Sequence, residues 1–295
     1  MLLTFQNIKS YLKQEIAQLL KNKKEGSITN NLDAMDSISV LSLNLRFGLA
    51  DDGPNSWQYR KDSFPVLLKN YQADFFGFQE VNSFQLEFLS DILREYNYIG
   101  ERQPAPPSWQ NNIIFYHRKW GCVHQDHFYL SPTPSIPSRF RKSRWPRQCT
   151  IGVFQNNDDQ VIVANTHFDF DPTVQSRSAK LIMQRLSDIS SETSAILIGD
   201  FNTTPESASY KIFTEQKKKK SLKKKQFFKN VFKDPFPGTF HGFKDNKTGD
   251  HIDWILYRGR IVLESSNIIR GKIKGQYPSD HFPLFAVFKR KNEEK

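Results

Sequence analysis

The chain has 295 residues, 38% hydrophobic and 25% charged, with a formal net charge of +11. That is enough apolar chain for one large core, and length alone leaves one domain or two open. Two cysteines, Cys122 and Cys149, without a CxxC, exclude a disulfide framework, and no window approaches the roughly 18 apolar residues of a membrane span.

The first twenty residues mix polar and charged residues among the apolar ones and lack the unbroken core of a signal peptide. With the cysteine usage, this predicts a reducing, cytoplasmic setting. Phe5, Ile8, Leu12, Ile16 and Leu19 or Leu20 recur at helical spacing. They predict an amphipathic helix, docked on its own domain or laid against a membrane surface or a partner. Docking on the domain is favoured over membrane contact. Residues 21–36 are polar and read as a linker, so 1–36 precede a domain over 37–290.

From Ile38 short apolar runs, bounded by turn residues, predict strands. In order they are "ISVLSLNL", "FFGFQEV", "NNIIFYH", "IGVF", "VIVANTHF", "AILIGDF", "HIDWILY" and "FPLFAVF". Helical patterns fall in "SWQYRKDSFPVLLKNY", "SFQLEFLSDILREY" and "PTVQSRSAKLIMQRLSDIS". The proline-rich stretch 131–146 is predicted to be a long loop. Seven lysines crowd 217–225 with no acid among them. Like charges repel, so this block predicts a solvated loop, with a grip on phosphates or anionic lipid as the alternative. Strands mixed with helices, without strict alternation and apolar on both faces, predict two packed sheets with helices outside.

Several predicted strands carry polar residues at one end: Asn44, Glu80, His167 with Asp169, Asp200 with Asn202, Asp253, and Asp280 with His281 just before the last strand. Side chains two apart on a strand share a face, so Asp200 and Asn202 are expected to point together. Buried carboxylates are costly unless paired or metal-bound, and caps alone do not account for so many. The set suits metal-assisted phosphate ester hydrolysis. Asn44, Glu80 and Asp280 offer the oxygen ligands Mg²⁺ prefers. Asp200 can orient or deprotonate a water, Asn202 can donate to a phosphoryl oxygen, and His167 and His281 can supply protons or stabilise the pentavalent phosphorus.

In that order, "SLNL", "FQEV", "NTHFD", "GDFNTTP", "HIDWI" and "SDHFP" resemble the endonuclease/exonuclease/phosphatase superfamily over roughly Ile38 to Phe288. The extended texture is most similar to a bacterial-type branch of that superfamily. The resemblance implies a deoxyribonuclease I-like four-layer α/β sandwich, with two mixed sheets inside and helices outside. It implies Asn44, Glu80 and Asp280 as metal-site residues and Mg²⁺ as the cofactor, with Mn²⁺ as a substitute. It implies Asp200 and Asn202 as the water-activating and phosphate-holding pair, His281 at the scissile phosphate with Asp253 orienting it, and His167 as the second histidine. Arg147 in "WPRQCT" matches a phosphate-binding arginine, and Asp169 and Arg177 belong to the texture around "THFD".

Three departures accompany the match. Arg46 stands where apurinic endonucleases carry an acid, and "GDFNTTP" and "HIDWI" do not fit the inositide 5-phosphatases. Gln110 and Asn111 stand where the branch carries an acid, which puts the orientation of His167 in question. The expected activity is a phosphodiesterase or nuclease acting as a monomer. The alternatives are a phosphatase on a small metabolite and a catalytically silent scaffold that binds nucleic acid or a membrane.

Overall fold

The computed structural model describes residues 37–102, 105–106, 108–157, 159–215, 227–244 and 249–291. The predicted N-terminal helix and linker and the lysine tract 217–225 lie outside them. The strands are β1 (Ser37–Asn44), β2 (Phe75–Val81), β3 (Tyr96–Ile99), β4 (Asn111–His117), β5 (Gly121–Tyr129) and β6 (Gln148–Asn156). They continue with β7 (Asp159–His167), β8 (Ser194–Asp200), β9 (Lys229–Asn230), β10 (Asp253–Arg258), β11 (Ile261–Ile268) and β12 (Leu284–Arg290). The helices are α1 (Trp57–Arg60), α2 (Phe64–Asn70), α3 (Ser83–Ile92), α4 (Pro172–Ile189) and α5 (Ala208–Thr214).

Two six-stranded mixed sheets result, in the orders β11-β12-β1-β2-β4-β3 and β5-β6-β7-β8-β10-β9. The period of two explains the layering. In β1, Val40 faces the other sheet and Leu41 faces the helices; in β8, Ile196 and Leu197 divide the same way. Leu41, Phe76 and Phe78 pack on Leu67 and Leu89 of α2 and α3. Ala164, Leu197 and Leu256 pack on Ala179, Ile182 and Leu186 of α4. Val40, Phe75, Val163, Ile196 and Ile255 fill the space between the sheets. The four-layer sandwich is as expected.

The helix predicted over "SWQYRKDSFPVLLKNY" is divided. A 3₁₀ turn, Lys61–Ser63, separates α1 from α2, and Pro65 sits in the first turn of α2, where its missing N–H is no loss. Asn82 and Gln85 cap α3 reciprocally, and Asp171 caps α4 through Thr173 N at 2.9 Å and Val174 N at 3.0 Å. Residues 131–146 carry turns but no helix or strand, as expected of a long loop.

Candidate active site

The layer between the sheets changes character along the strands. In β1 the inward series runs Ile38, Val40, Ser42, Asn44; in β7 it runs Val161, Val163, Asn165, His167; in β8 it runs Ile196, Ile198, Asp200. In antiparallel β10 it runs in reverse from Ile255 to Asp253. Each series passes from apolar to polar toward the same end of the sandwich. Midway, Asn165 bridges the sheets: its amide donates to Phe78 O and Ile113 O, both at 2.9 Å, and its carbonyl accepts from Gln79 Nε2 at 2.7 Å. Beyond that polar seam the functional side chains begin.

Pairing sets their spacing. His167 and Asp253 are the register partners of Asp200 on its two neighbouring strands, so three side chains stand abreast. Asn44 reaches across from the other sheet and donates to Asp200 Oδ2 at 2.9 Å and to Glu80 Oε1 at 3.2 Å. His281 faces the opposite flank. Its Nδ1 lies 2.8 and 3.1 Å from the two Asp253 oxygens, and its Nε2 lies 3.8 Å from Asp200 Oδ2 and 4.0 Å from Asp280 Oδ1. Ser279 ties this loop to β1, donating to Asn44 O at 2.5 Å and to Asp280 Oδ1 at 3.1 Å.

Three non-glycine residues here sit at positive φ: Arg46 (62°), Glu80 (62°) and Asn202 (49°). Such residues are uncommon, and strained positions gather at functional sites. Glu80 falls where the β2–β4 register slips, so it leaves the ladder and turns to the cleft, held by Phe47 N at 2.5 Å. Asn202 corrects the expectation of a shared strand face. The strand ends at Asp200, and Asn202 N donates back to Asp200 Oδ1 at 2.9 Å in a turn. The turn still brings Asn202 Nδ2 to 2.9 Å from His167 Nε2 and 2.9 Å from Phe168 O.

Burial separates the protonation states. It pushes the Asp200 carboxyl up, to about 7, with Asp253 adding to the rise and His281 opposing it. His281 is also desolvated, which disfavours its charge, but Asp253, Asp200 and Asp280 together outweigh this and raise it to about 10. His167 goes the other way: burial, then Arg147 and His281, hold it well below the usual range. Its ring faces Arg147 Nη1 at Nδ1 (3.1 Å) and the Asn202 amide at Nε2. A neutral ring accepts from one of these donors; a protonated ring accepts from neither. Burial and these donors favour the neutral ring, which suits the second of the two roles the sequence suggested, stabilising the pentavalent phosphorus, better than supplying a proton.

The site opens into a cleft of about 590 Å³ whose lining includes Arg46, Glu80, Trp145, Arg147, His167 and Phe170. Arg147 is 9% exposed, has no carboxylate partner among the described residues, and leaves Nε without any hydrogen bond. A buried unpaired cation on a cleft wall suits an anion.

Other expected residues are placed elsewhere. Asp169 pins a loop, with Oδ2 accepting from Ser143 Oγ and Arg144 N, both at 2.8 Å. Arg177 is exposed on α4 with its guanidinium 5.6 Å from the Phe140 ring and no bond to a site side chain. Neither residue lines the cleft. At Gln110 and Asn111 the structure shows other bonds: Asn111 meets Val81 O and Arg102 N, Gln110 O accepts from Gln148, and the His167 ring faces Arg147 and Asn202. The sequence reading missed Arg46, whose guanidinium grips Asp52 (2.8 and 3.0 Å) and stands 3.7 Å from Asp280. It also missed buried Arg60, which donates to Arg46 O and Pro278 O and so ties the two loops together.

The family model described as the Endonuclease/Exonuclease/phosphatase family matches residues 41–281. The chain belongs to that family. Endonuclease/exonuclease/phosphatase proteins are hydrolases acting on phosphoester bonds. A solved endonuclease/exonuclease/phosphatase from Bacteroides vulgatus is 26% identical, with a TM-score of 0.77 over 86% of this chain and 99% of that one. A mannosyl-6-phosphatase from Bacteroides thetaiotaomicron is 25% identical, with a TM-score of 0.73 over 85% and 99%. The curated CCR4-Not complex 3'-5'-exoribonuclease subunit Ccr4 of Candida albicans is 23% identical over 81% of this chain. The match takes in only 38% of that relative's length.

Endonuclease/exonuclease/phosphatase enzymes typically depend on a divalent metal. Asp200, Asp253 and His281 bring one ligand atom each within 4.8 Å of one another and can hold an ion. Asp253 and His281 are already hydrogen-bonded to each other, however, whereas Glu80 is the carboxylate that lines the cleft. Among the described residues no helix is long and apolar enough to cross a membrane.

Proposed function

We propose that this protein is a Mg²⁺-dependent phosphodiesterase, with Mn²⁺ as a working substitute. The observation that carries the reading is the Asp253–His281–Asp200 array set against His167, whose Nε2 lies 3.4 Å from Asp200 Oδ2, while buried Arg147, with no ion pair among the described residues, meets the same ring at 3.1 Å on the cleft wall. Carboxylate and histidine supply proton chemistry, and the arginine supplies a seat for an anion. Phosphate esters need both.

Glu80 and Asp280, with the Asn44 carbonyl, would hold the ion. All are hard oxygen donors, and no described cysteine stands among them. When bound, a divalent cation polarises the phosphoryl oxygen and neutralises charge on the leaving group. Asp200, oriented by Asn44 and Asn202 N, takes the proton of the attacking water; a carboxyl raised toward neutrality suits that task. His281, kept cationic by Asp253, stabilises charge on the pentavalent phosphorus and protonates the leaving oxygen. Neutral His167, Asn202 and Arg147 hold the non-bridging oxygens.

Release of p-nitrophenol from bis(p-nitrophenyl) phosphate and p-nitrophenyl phosphate, with Mg²⁺, Mn²⁺ or EDTA, tests the reading. Wild type should turn over the diester with metal and stop in EDTA, and Asp200→Ala should lose at least about 10²-fold in kcat. Equal turnover by Asp200→Ala ends the assignment. Preference for the monoester, as the mannosyl-6-phosphatase likeness would suggest, moves it to a phosphatase.

A further inference from the structure

Ser138 to Arg147 reads "SRFRKSRWPR": five cations, two aromatics and no acid in ten residues. The proposed chemistry uses Arg147 alone. The segment has neither helix nor strand, yet its backbone is tied down. Asp169 takes Ser143 Oγ and Arg144 N, Ser143 Oγ donates to Trp145 O at 2.6 Å, and Arg139 donates to Ser143 O. Phe140 is buried against the Arg177 guanidinium. Arg139, Arg141, Lys142, Arg144 and Trp145 face water; Arg139 is engaged by Ser143 O, which leaves Arg141, Lys142 and Arg144.

None of those three cations has a hydrogen bond or ion pair from its side chain among the described residues. Arg144 only overlies Trp145, at 5.5 Å. Trp145 is 53% exposed and Phe170 is 55% exposed, yet both line the cleft with Arg144 and Arg147. Large aromatic faces left open beside a reaction centre mark a binding surface. Aromatics interleaved with unpaired cations match a strand of stacked bases on a phosphate backbone. A hexose phosphate carries one anionic group and would leave Arg141, Lys142 and Arg144 idle. A duplex hides its base faces.

We propose that this basic strap and Phe170 form a subsite for single-stranded nucleic acid. The base next to the scissile phosphate stacks on Trp145 and Phe170, and successive phosphates run from Arg147 out to Arg144, Lys142 and Arg141. The placing of Arg147 at the scissile phosphate rests on the phosphoester reading. Stacking accepts any base, so the subsite favours single strands over duplex without reading sequence.

The test is fluorescence anisotropy of a labelled single-stranded DNA decamer, its RNA counterpart and a duplex, in EDTA across a salt series. Wild type, Trp145→Ala and the triple variant Arg141→Ala/Lys142→Ala/Arg144→Ala are compared, with bis(p-nitrophenyl) phosphate and mannose 6-phosphate turnover beside them. Trp145→Ala should raise the oligonucleotide Kd by roughly 5- to 150-fold. The triple variant should lower the slope of log Kd on log salt by about 2, the value for three single-strand phosphate contacts. In each variant the loss of oligonucleotide affinity should exceed the loss of kcat/KM for bis(p-nitrophenyl) phosphate. Unchanged oligonucleotide affinity in both variants overturns the proposal, as does duplex binding equal to single-strand binding. A Trp145→Ala variant that raises KM for mannose 6-phosphate and spares the oligonucleotide overturns it in favour of a sugar phosphate. If wild type turns over no phosphoester while both variants lose the oligonucleotide, the hydrolase reading falls and the subsite stands.

Discussion

Replacing Asp253 with Asn tests the proton chemistry with the least change in shape. In the wild type both Asp253 oxygens face His281 Nδ1, at 2.8 and 3.1 Å, in a fully buried setting. A hydrogen bond to a charged group contributes about 1.5–3 kcal/mol, which is roughly 10- to 150-fold in rate. Asp253 is also the foremost group raising His281 against its burial, so Asp253→Asn should bring His281 down from about 10 to near or below its ordinary 6.5. A raised histidine contributes stability that is fully present below 6.5 and lost as pH rises through 10. Two results are expected. In Mg²⁺, kcat/KM for bis(p-nitrophenyl) phosphate should fall about 10- to 150-fold at pH 8, and its alkaline limb should move to lower pH. Without metal, the fall in melting temperature between pH 7 and pH 10 should flatten. A variant within about threefold of wild type from pH 6 to pH 10, with the same alkaline limb, would refute the role given to the pair.

Metal-free Asp200→Asn should gain stability over wild type as pH rises. The wild-type carboxyl, pushed from 3.8 to about 7, favours the fold fully only below 3.8 and loses that contribution as pH rises through 7. The gain at pH 8 relative to pH 4 should be on the order of 4 kcal/mol, read as melting temperature in EDTA; a pH-independent difference would contradict it. Gly199→Ala places a Cβ 2.0 Å from Thr166 O at φ +151°, so it should cost roughly 2–4 kcal/mol of unfolding free energy, read as a lower urea midpoint, or abolish soluble expression. An unchanged midpoint would show that the β7–β8 approach is looser than drawn. Asn165→Ala removes the donor to Phe78 O and Ile113 O and the nearest acceptor of Gln79 Nε2, which keeps Ser42 Oγ and Gly77 O at 3.3 Å. It should cost about 2–4 kcal/mol while kcat stays near wild type, and a loss of kcat without a loss of stability would place the seam in the chemistry.

The eight strands legible in the sequence are β1, β2, β4, β6, β7, β8, β10 and β12, all interior to their sheets. The four it hid, β3, β5, β9 and β11, are the sheet edges. An interior strand is buried on both faces and reads as a continuous apolar run. An edge strand such as β5, largely exposed and polar over its first seven residues, has no such run to detect. The same logic governed the site. Asn44, His167, Asp200 and Asp253 were legible because strand ends display them against an apolar background.

Tertiary structure decided what no local pattern records. A bulge turned Glu80 into the cleft, and a turn carried Asn202 to His167. The desolvated surroundings set Asp200, His167 and His281 to different charges, because burial and the sign of each neighbour are properties of space and not of sequence. Asp169 looked like a ligand and proved to be the anchor of the strap bearing Arg144 and Trp145. The strands determined which residues reach the end of the sandwich, and the loops packed over that end decided what each of them faces.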